Sequence, residues 1–471
     1  PQVLKGVLHP VTVYRVEQAA DAPGRFEATT TRGLTPLVGR EAEIGLLLNR
    51  WALTKDGEGQ VVLLSGEAGV GKSRILRGFR DRLGSDPHSR VLYFGSPFHQ
   101  NSALYPVVDQ FERALRFTRD DDPLKKLDKL KKGLTDLALP VDKHAPVLAE
   151  LLSLATDGRY PPLEVSPEEF KKRTFEAILD IVDAMAARAP LLFVVEDLHW
   201  IDPSTLEFLG LVVERLRRSR ILFLGAARPN FENPWSGHAH FSALTLNRLS
   251  RRESAALVSK LTNGKSLPDE VLGEIITKTD GVPLFVEELT KTVLESGFLE
   301  EQKDLYVLSE PLPPLAIPAS LQDSLMARLD RLAPMKQIAQ LAATLGRTFS
   351  HDLLARVSTL DDAALGSALD QLTQTGIIFR RGVPPDASYE FKPALVQDAA
   401  YQSLLKSTRQ QYHERIGQVL EGEFPEIAAT QPELLAHHFT EAGLADKAVT
   451  FRLKAGQRAV GRSANVEALA H

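Results

Sequence analysis

The run Gly66-Glu67-Ala68-Gly69-Val70-Gly71-Lys72-Ser73 follows the apolar stretch Val61-Val62-Leu63-Leu64 and decides the reading of the chain. It fits G-x-x-x-x-G-K-[ST], the phosphate-binding loop pattern. The glycines let the backbone fold into a tight nest whose N–H groups point at phosphate oxygens. Lys72 supplies a mobile positive charge for the β- and γ-phosphates, and the Ser73 hydroxyl can bind Mg²⁺. The segment from Arg74 to Leu83 then starts a helix whose positive dipole end faces the same anions. Together these residues predict a nucleoside triphosphate site.

Four further apolar runs read as buried parallel strands: Val91–Phe94, Leu191–Val195, Ile221–Leu224 and a weaker Ala243–Leu246. Between Pro167 and Pro190, Phe170, Phe175, Ile178, Leu179, Val182 and Met185 recur at spacings of three and four, one face of a helix stopped by Pro190. Strands alternating with helices give a doubly wound, mainly parallel α/β sheet. Its ligand is expected at the carboxyl ends of the strands.

The run Leu191–Val195 ends in Glu196-Asp197. Acids at the end of a buried strand are what Mg²⁺ binding and water activation need. Glu196 would hold the metal, directly or through water, and Asp197 would orient or deprotonate the attacking water. Asp202-Pro203-Ser204 reads as a helix N-cap with Pro in the first turn. His199 reads as a packing or hydrogen-bonding residue rather than a base. Arg228, just past the Ile221–Leu224 strand, is either a surface cation or a group that reaches the γ-phosphate.

Length and composition bound the rest. The 471 residues suit about three domains. A net charge of −5 argues against a general nucleic-acid binder. With no Cys there is no disulfide, thiolate metal site or Cys nucleophile. No apolar run reaches the ~18 residues of a membrane span, and no signal-peptide pattern opens the chain, so a cytoplasmic location is expected. The start at Pro1 suggests a piece of a longer protein.

Pro311 to Pro318 holds four prolines in eight positions, a stiff linker. Residues 319–395 then read helix, helix, helix and two short strands, Ile377–Arg380 and Ser388–Phe391: a winged helix. Its third helix, capped by Asp361 or Asp362 and ended by Gly376, carries Asp361, Asp362 and Asp370 and no Arg or Lys. A DNA reader needs cations there, which argues against DNA. From 394 on the pattern is helical, with Gly443 and Gly456 as breakers. His437-His438 reads as packing or solvent-facing, since adjacent helical residues do not face one site.

In order and spacing these blocks resemble the STAND branch of the AAA+ ATPases. Leu37-Val38-Gly39-Arg40-Glu41 looks like the opening motif whose backbone touches adenine. Glu196 to Asp202 looks like the second nucleotide motif, and Arg228 matches the first sensor. Gly281-Val282-Pro283-Leu284-Phe285 matches the lid motif that closes over the base. More narrowly, the chain resembles the ATPase region of bacterial proteins that carry a class III adenylate/guanylate cyclase domain. Lys5 to Val16 is similar to the last hairpin of such a domain. Ala455 to Asn465 resembles the start of a tetratricopeptide-type array.

The resemblance implies a cyclase hairpin at 1–16, a linker at 17–36, an ATPase core at 37–248, a helical lid at 249–312, a winged helix at 313–395 and an array start at 396–471. It implies ATP or ADP with Mg²⁺ as ligands, slow ATP hydrolysis, and control of a cyclase domain attached in cis. The array's partner and the oligomeric state, a homo-oligomer included, stay open. The alternatives are a scaffold within a plain cyclase and a LuxR-like STAND transcriptional activator. Two departures mark this chain. Glu196 stands where the wider superfamily usually has Asp. Pro393 stands where relatives usually carry a His that touches the β-phosphate of ADP, and Pro has no side-chain donor for that contact.

Overall fold

The computed structural model describes residues 37–84, 86–118, 121–161, 163–309, 320–331, 333–391 and 394–471. The expected cyclase hairpin at 1–16, the linkers at 17–36 and 311–318, and Pro393 lie outside them.

Five strands form one sheet: β1 (Gln60–Ser65), β2 (Ser89–Phe94), β3 (Leu191–Glu196), β4 (Ile221–Ala227) and β5 (Phe241–Thr245). All pairs are parallel, in the order β2-β3-β4-β1-β5. β5 begins and ends slightly earlier than Ala243–Leu246 suggested, because Leu246 already bonds back to the Ser65 carbonyl beyond the strand. β1, β3 and β4 lie in the middle of the sheet and are buried almost throughout, which is why they read as unbroken apolar runs.

Alternate residues serve opposite faces of the sheet. Val61, Leu63, Leu191, Phe193 and Val195 join a core with the helices Pro167–Arg188 and Pro203–Arg215. Val62, Leu64, Leu192 and Val194 pack against the helices Glu41–Lys55 and Lys72–Leu83. Each of these fully buried side chains contributes roughly 1.5–3 kcal/mol by leaving water. The parity also sets the chemistry, because Glu196 follows Leu192 and Val194 onto the face of the Lys72–Leu83 helix.

Beyond the sheet, the helices Arg251–Leu261, Asp269–Thr279 and Pro283–Leu294 close around Val271, Ile275, Val286 and Leu289. A short hairpin, β6 (Leu299–Glu301) with β7 (Tyr306–Leu308), follows. The next unit differs from its expected order. It has four helices, Leu321–Arg331, Ala333–Leu345, His351–Val357 and Asp362–Gln374, and three strands. β8 (Thr348–Ser350) precedes β9 (Ile378–Arg381) and β10 (Ser388–Phe391), and the antiparallel order is β8-β10-β9. A three-residue strand and a seven-residue helix are too short to show a period in sequence. Asp361 is the cap of its helix, accepting from the Ala364 N–H at 2.8 Å.

The C-terminal helices share one core with this unit through Ile416, Leu420, Leu435, Phe439 and Phe451. Gly443, at φ 78°, ends a helix as expected. Gly456 does not break one. It lies inside the helix Ala445–Gly461. His438 is buried and shares a 2.9 Å hydrogen bond with His413, which fits the packing reading. The chain then returns to the sheet domain. Arg462 donates to the Leu151 carbonyl, and the Asn465–Ala470 helix delivers Glu467 to the N-terminus of Pro203–Arg215. Among the described residues no helix is long and apolar enough to cross a membrane.

Candidate functional site

Gly69 and Gly71 have φ of 81° and 104°, values open to glycine, and the loop they shape runs from β1 directly into the Lys72–Leu83 helix. A β-carbon on Gly66 would stand 2.8 Å from Val70, so this turn has no room for a side chain. Lys72 donates to the Gly66 and Glu67 carbonyls at 2.6 and 3.0 Å. Burial lowers its pKa, opposed by Asp197 and aided by Arg228, so all three groups lie within electrostatic reach of one another.

Ser73 donates to Glu196 Oε2 at 2.6 Å across 123 positions of sequence. Glu196 is buried at 7% exposure. A solvent-facing strand end is therefore ruled out. The two hard oxygens fit a Mg²⁺ ion whose remaining ligands are phosphate oxygens and water. Among the described residues no cluster of three or more His, Asp or Glu could hold a metal alone.

Asp197 leaves β3 in the left-handed region at φ 56°. Its backbone is packed by Gly95, where a β-carbon would come within 2.2 Å of the Asp197 carbonyl oxygen. The Gly95 N–H donates to the Glu196 carbonyl at 2.9 Å. Sequence reasoning missed Gly95; the signal was a glycine placed directly after an apolar strand. Asp197 Oδ2 accepts from Arg347 at 3.1 Å, a partner from the second half that no motif announced.

Because β4 lies between β1 and β3, Arg228 at its end stands between the phosphate loop and the acids. Its guanidinium lies 4.9 Å over the Trp200 ring, not out in solvent. His199 has no hydrogen bond on either ring nitrogen among the described residues. Burial first, then Arg228 and Lys72, push it down to about 4 against the pull of Asp197, so it is neutral near pH 7.

The opening and lid motifs meet on the loop. Arg40 is buried and donates to the Asn247 carbonyl at 2.6 Å and the Val70 carbonyl at 3.4 Å. Val38 packs on the lid core, and Gly39, at φ 64°, leaves no room for a β-carbon beside the Glu253 carboxylate. Pro283 opens its helix, and the next residue, Leu284, donates its N–H to the Gly69 carbonyl at 3.2 Å. Arg248 joins Glu67 of the loop to Asp280 of the lid. Arg74 faces Glu287 of the lid helix, and burial lowers its pKa. Val38 to Arg40, the loop from Gly66 to Arg74, Glu196, Asp197, Arg228 and Pro283 are thus drawn to one end of the sheet.

Asp202 is the predicted cap, accepting from the Thr205 N–H at 2.8 Å, and it also accepts from Leu104 at 2.9 Å. Burial raises its pKa to about 7, and Glu467 adds to the rise.

Residues 36–224 match the AAA ATPase domain family. Over that span the chain has the fold of a P-loop NTPase. An uncharacterized protein of Rhizobium meliloti is 28% identical over 99% of this chain, which spans 45% of that relative's length. Two solved structures are similar at 12% identity. One is a STAND protein with a tetratricopeptide repeat sensor from Pyrococcus horikoshii, with TM-score 0.47, covering 91% of this chain and 57% of its own. The other is the ORC1 protein of Aeropyrum pernix in complex with DNA, with TM-score 0.34, covering 79% of this chain and 94% of its own.

Proposed function

We propose that this chain is an ATP-operated regulatory module. The observation that carries the reading is the closure of the lid on the phosphate loop, Leu284 N–H to Gly69 carbonyl, directly beside the Ser73–Glu196 oxygen pair. A nucleotide bound there touches the sheet domain and the lid at once, so its state sets their relative position. Backbone N–H groups of Gly69 to Ser73 would hold the phosphates, and Lys72 would turn from the loop carbonyls to the β- and γ-phosphates. Ser73 and Glu196 would hold Mg²⁺, which neutralises phosphate charge when bound. Asp197 would orient water, and Arg228 would meet the γ-phosphate. Hydrolysis by such a site is expected to be slow.

What the module governs is read from the sequence resemblance of residues 1–16: a class III adenylate/guanylate cyclase domain in cis, in a cytoplasmic signalling protein. Residues 313–395 would serve as the winged-helix switch arm, and the helices of 396–471 would begin a tetratricopeptide-like sensor array whose partner is a protein. This chain alone should make no cyclic nucleotide, because cyclisation needs paired metal-binding carboxylates in a site of its own. The test is to purify the chain, identify any bound nucleotide by mass spectrometry, and titrate ATP, ADP and GTP with Mg²⁺. ATP and ADP binding is expected. An absence of nucleotide binding would sink the reading.

A further inference from the structure

Arg347 lies in the turn between Ala333–Leu345 and β8, and its guanidinium is held between two carboxylates. Asp197 of the ATPase domain is at 3.1 Å and Glu390 of β10 is at 3.8 Å. The Arg347 carbonyl accepts from the Phe391 N–H at 2.9 Å, which fixes the turn to the strand carrying Glu390. Next to it, Gly346 packs toward Phe98 of the ATPase domain, where a β-carbon would stand 3.4 Å from the ring. On the adjoining helix Ala394–Gln402, Asp398 is in the field of Arg228, Arg347 and Asp197. The second half thus sets a cation on the acid that would orient water.

We propose that the unit running from Leu321–Arg331 to β10 is a gate on hydrolysis, in which Arg347 covers Asp197. This rests on the ATP reading above and names the regulation of that site. Three consequences follow from charge alone. While Arg347 holds Asp197, the carboxylate is not free to orient water, so bound ATP is protected. The γ-phosphate competes with Asp197 for Arg347, whereas ADP lacks that charge. When the unit lifts, Glu390 goes with Arg347, so the guanidinium is never left without a counter-charge and release is less costly.

The experiment uses the full chain with Mg²⁺. ATP affinity is measured first with a fluorescent analogue, then single-turnover hydrolysis for wild type, Arg347→Ala and Arg347→Lys. Arg347→Ala should speed hydrolysis of bound ATP roughly tenfold, within the range usual for coupled sites. Arg347→Lys keeps the charge but loses the planar fork, so it should fall between wild type and Ala. Unchanged or slower hydrolysis in Arg347→Ala, with ATP affinity intact, overturns the gate and leaves the nucleotide reading standing. Failure of wild type to bind ATP removes both. Hydrogen exchange on wild type needs no variant to fold. A non-hydrolysable ATP analogue should raise exchange across 346–350 and 394–402 above the ADP level, and equal exchange overturns the proposal.

Discussion

The phosphate loop makes its turn within eight consecutive residues, and two of its glycines sit at φ values that other residues avoid. What closes over it comes from far along the chain: Arg248 just before the lid, Leu284 from the lid and Arg347 from the next unit. The loop is specified by its own backbone, so it keeps its shape whatever covers it. The cover is specified by packing and by a few charges, so it can move without unmaking the loop. A binding site that must persist and a lid that must leave are built by different means.

Asp197 is where the two regions meet, and it is the sharpest place to separate them. Asp197→Asn keeps the size but removes the charge, and a positioned base contributes on the order of 10²–10⁴-fold. Phosphate release should fall below detection while ATP still binds. Turnover at the wild-type rate would move the role to Glu196. Lys72→Ala attacks the loop alone. Losing a charged partner of phosphate costs roughly 2–5 kcal/mol, about thirtyfold to several thousandfold in affinity. Equal affinity of both proteins for a fluorescent ATP analogue would break the phosphate-loop reading.

Asp202 sharpens the comparison from the side of the cover, because Glu467 of the last helix sits beside it. Its folded pKa, about 7, lies above the ordinary 3.8. The native state therefore holds a proton that the unfolded chain releases. The associated stability is full below about pH 4 and is lost as pH rises to about 7, a loss of roughly 1–4 kcal/mol. Melting curves at pH 5 and pH 8 should show wild type losing more than Asp202→Asn. Parallel losses would show that the carboxyl ionises normally. The smallest effect is expected at Gly281. Its φ is 72°, and a β-carbon would fall 2.1 Å from the Leu249 carbonyl oxygen. Gly281→Ala should cost about 1–3 kcal/mol through strain and a displaced lid turn. An unchanged melting temperature would show that the turn gives way freely.

The sequence made the sheet, the loop and the acid pair legible because each is local. Middle strands buried on both faces read as apolar runs, glycines mark the nest, and Glu196 and Asp197 stand at a strand end. The opening and lid motifs were legible only through resemblance, since Val38 or Pro283 alone is an ordinary packing residue. Arg347, Asp398 and Glu467 gave no signal. Each is a single polar residue in an unremarkable turn or helix, and its meaning comes from a partner well over a hundred positions away. Gly456 lies inside a helix rather than ending one, because an interior glycine costs only about 1 kcal/mol and packing of the helix can outweigh it.

Glu467 also makes the molecule a lever. Its carboxylate accepts from the Ser204 N–H at 2.8 Å, and both residues are buried. The pull of anything that seizes the C-terminal helices would reach the start of Pro203–Arg215 through a short, stiff link. Only a brief turn separates that point from the strand end bearing Glu196 and Asp197. Tension on the tail and chemistry at the metal strand are therefore mechanically in series.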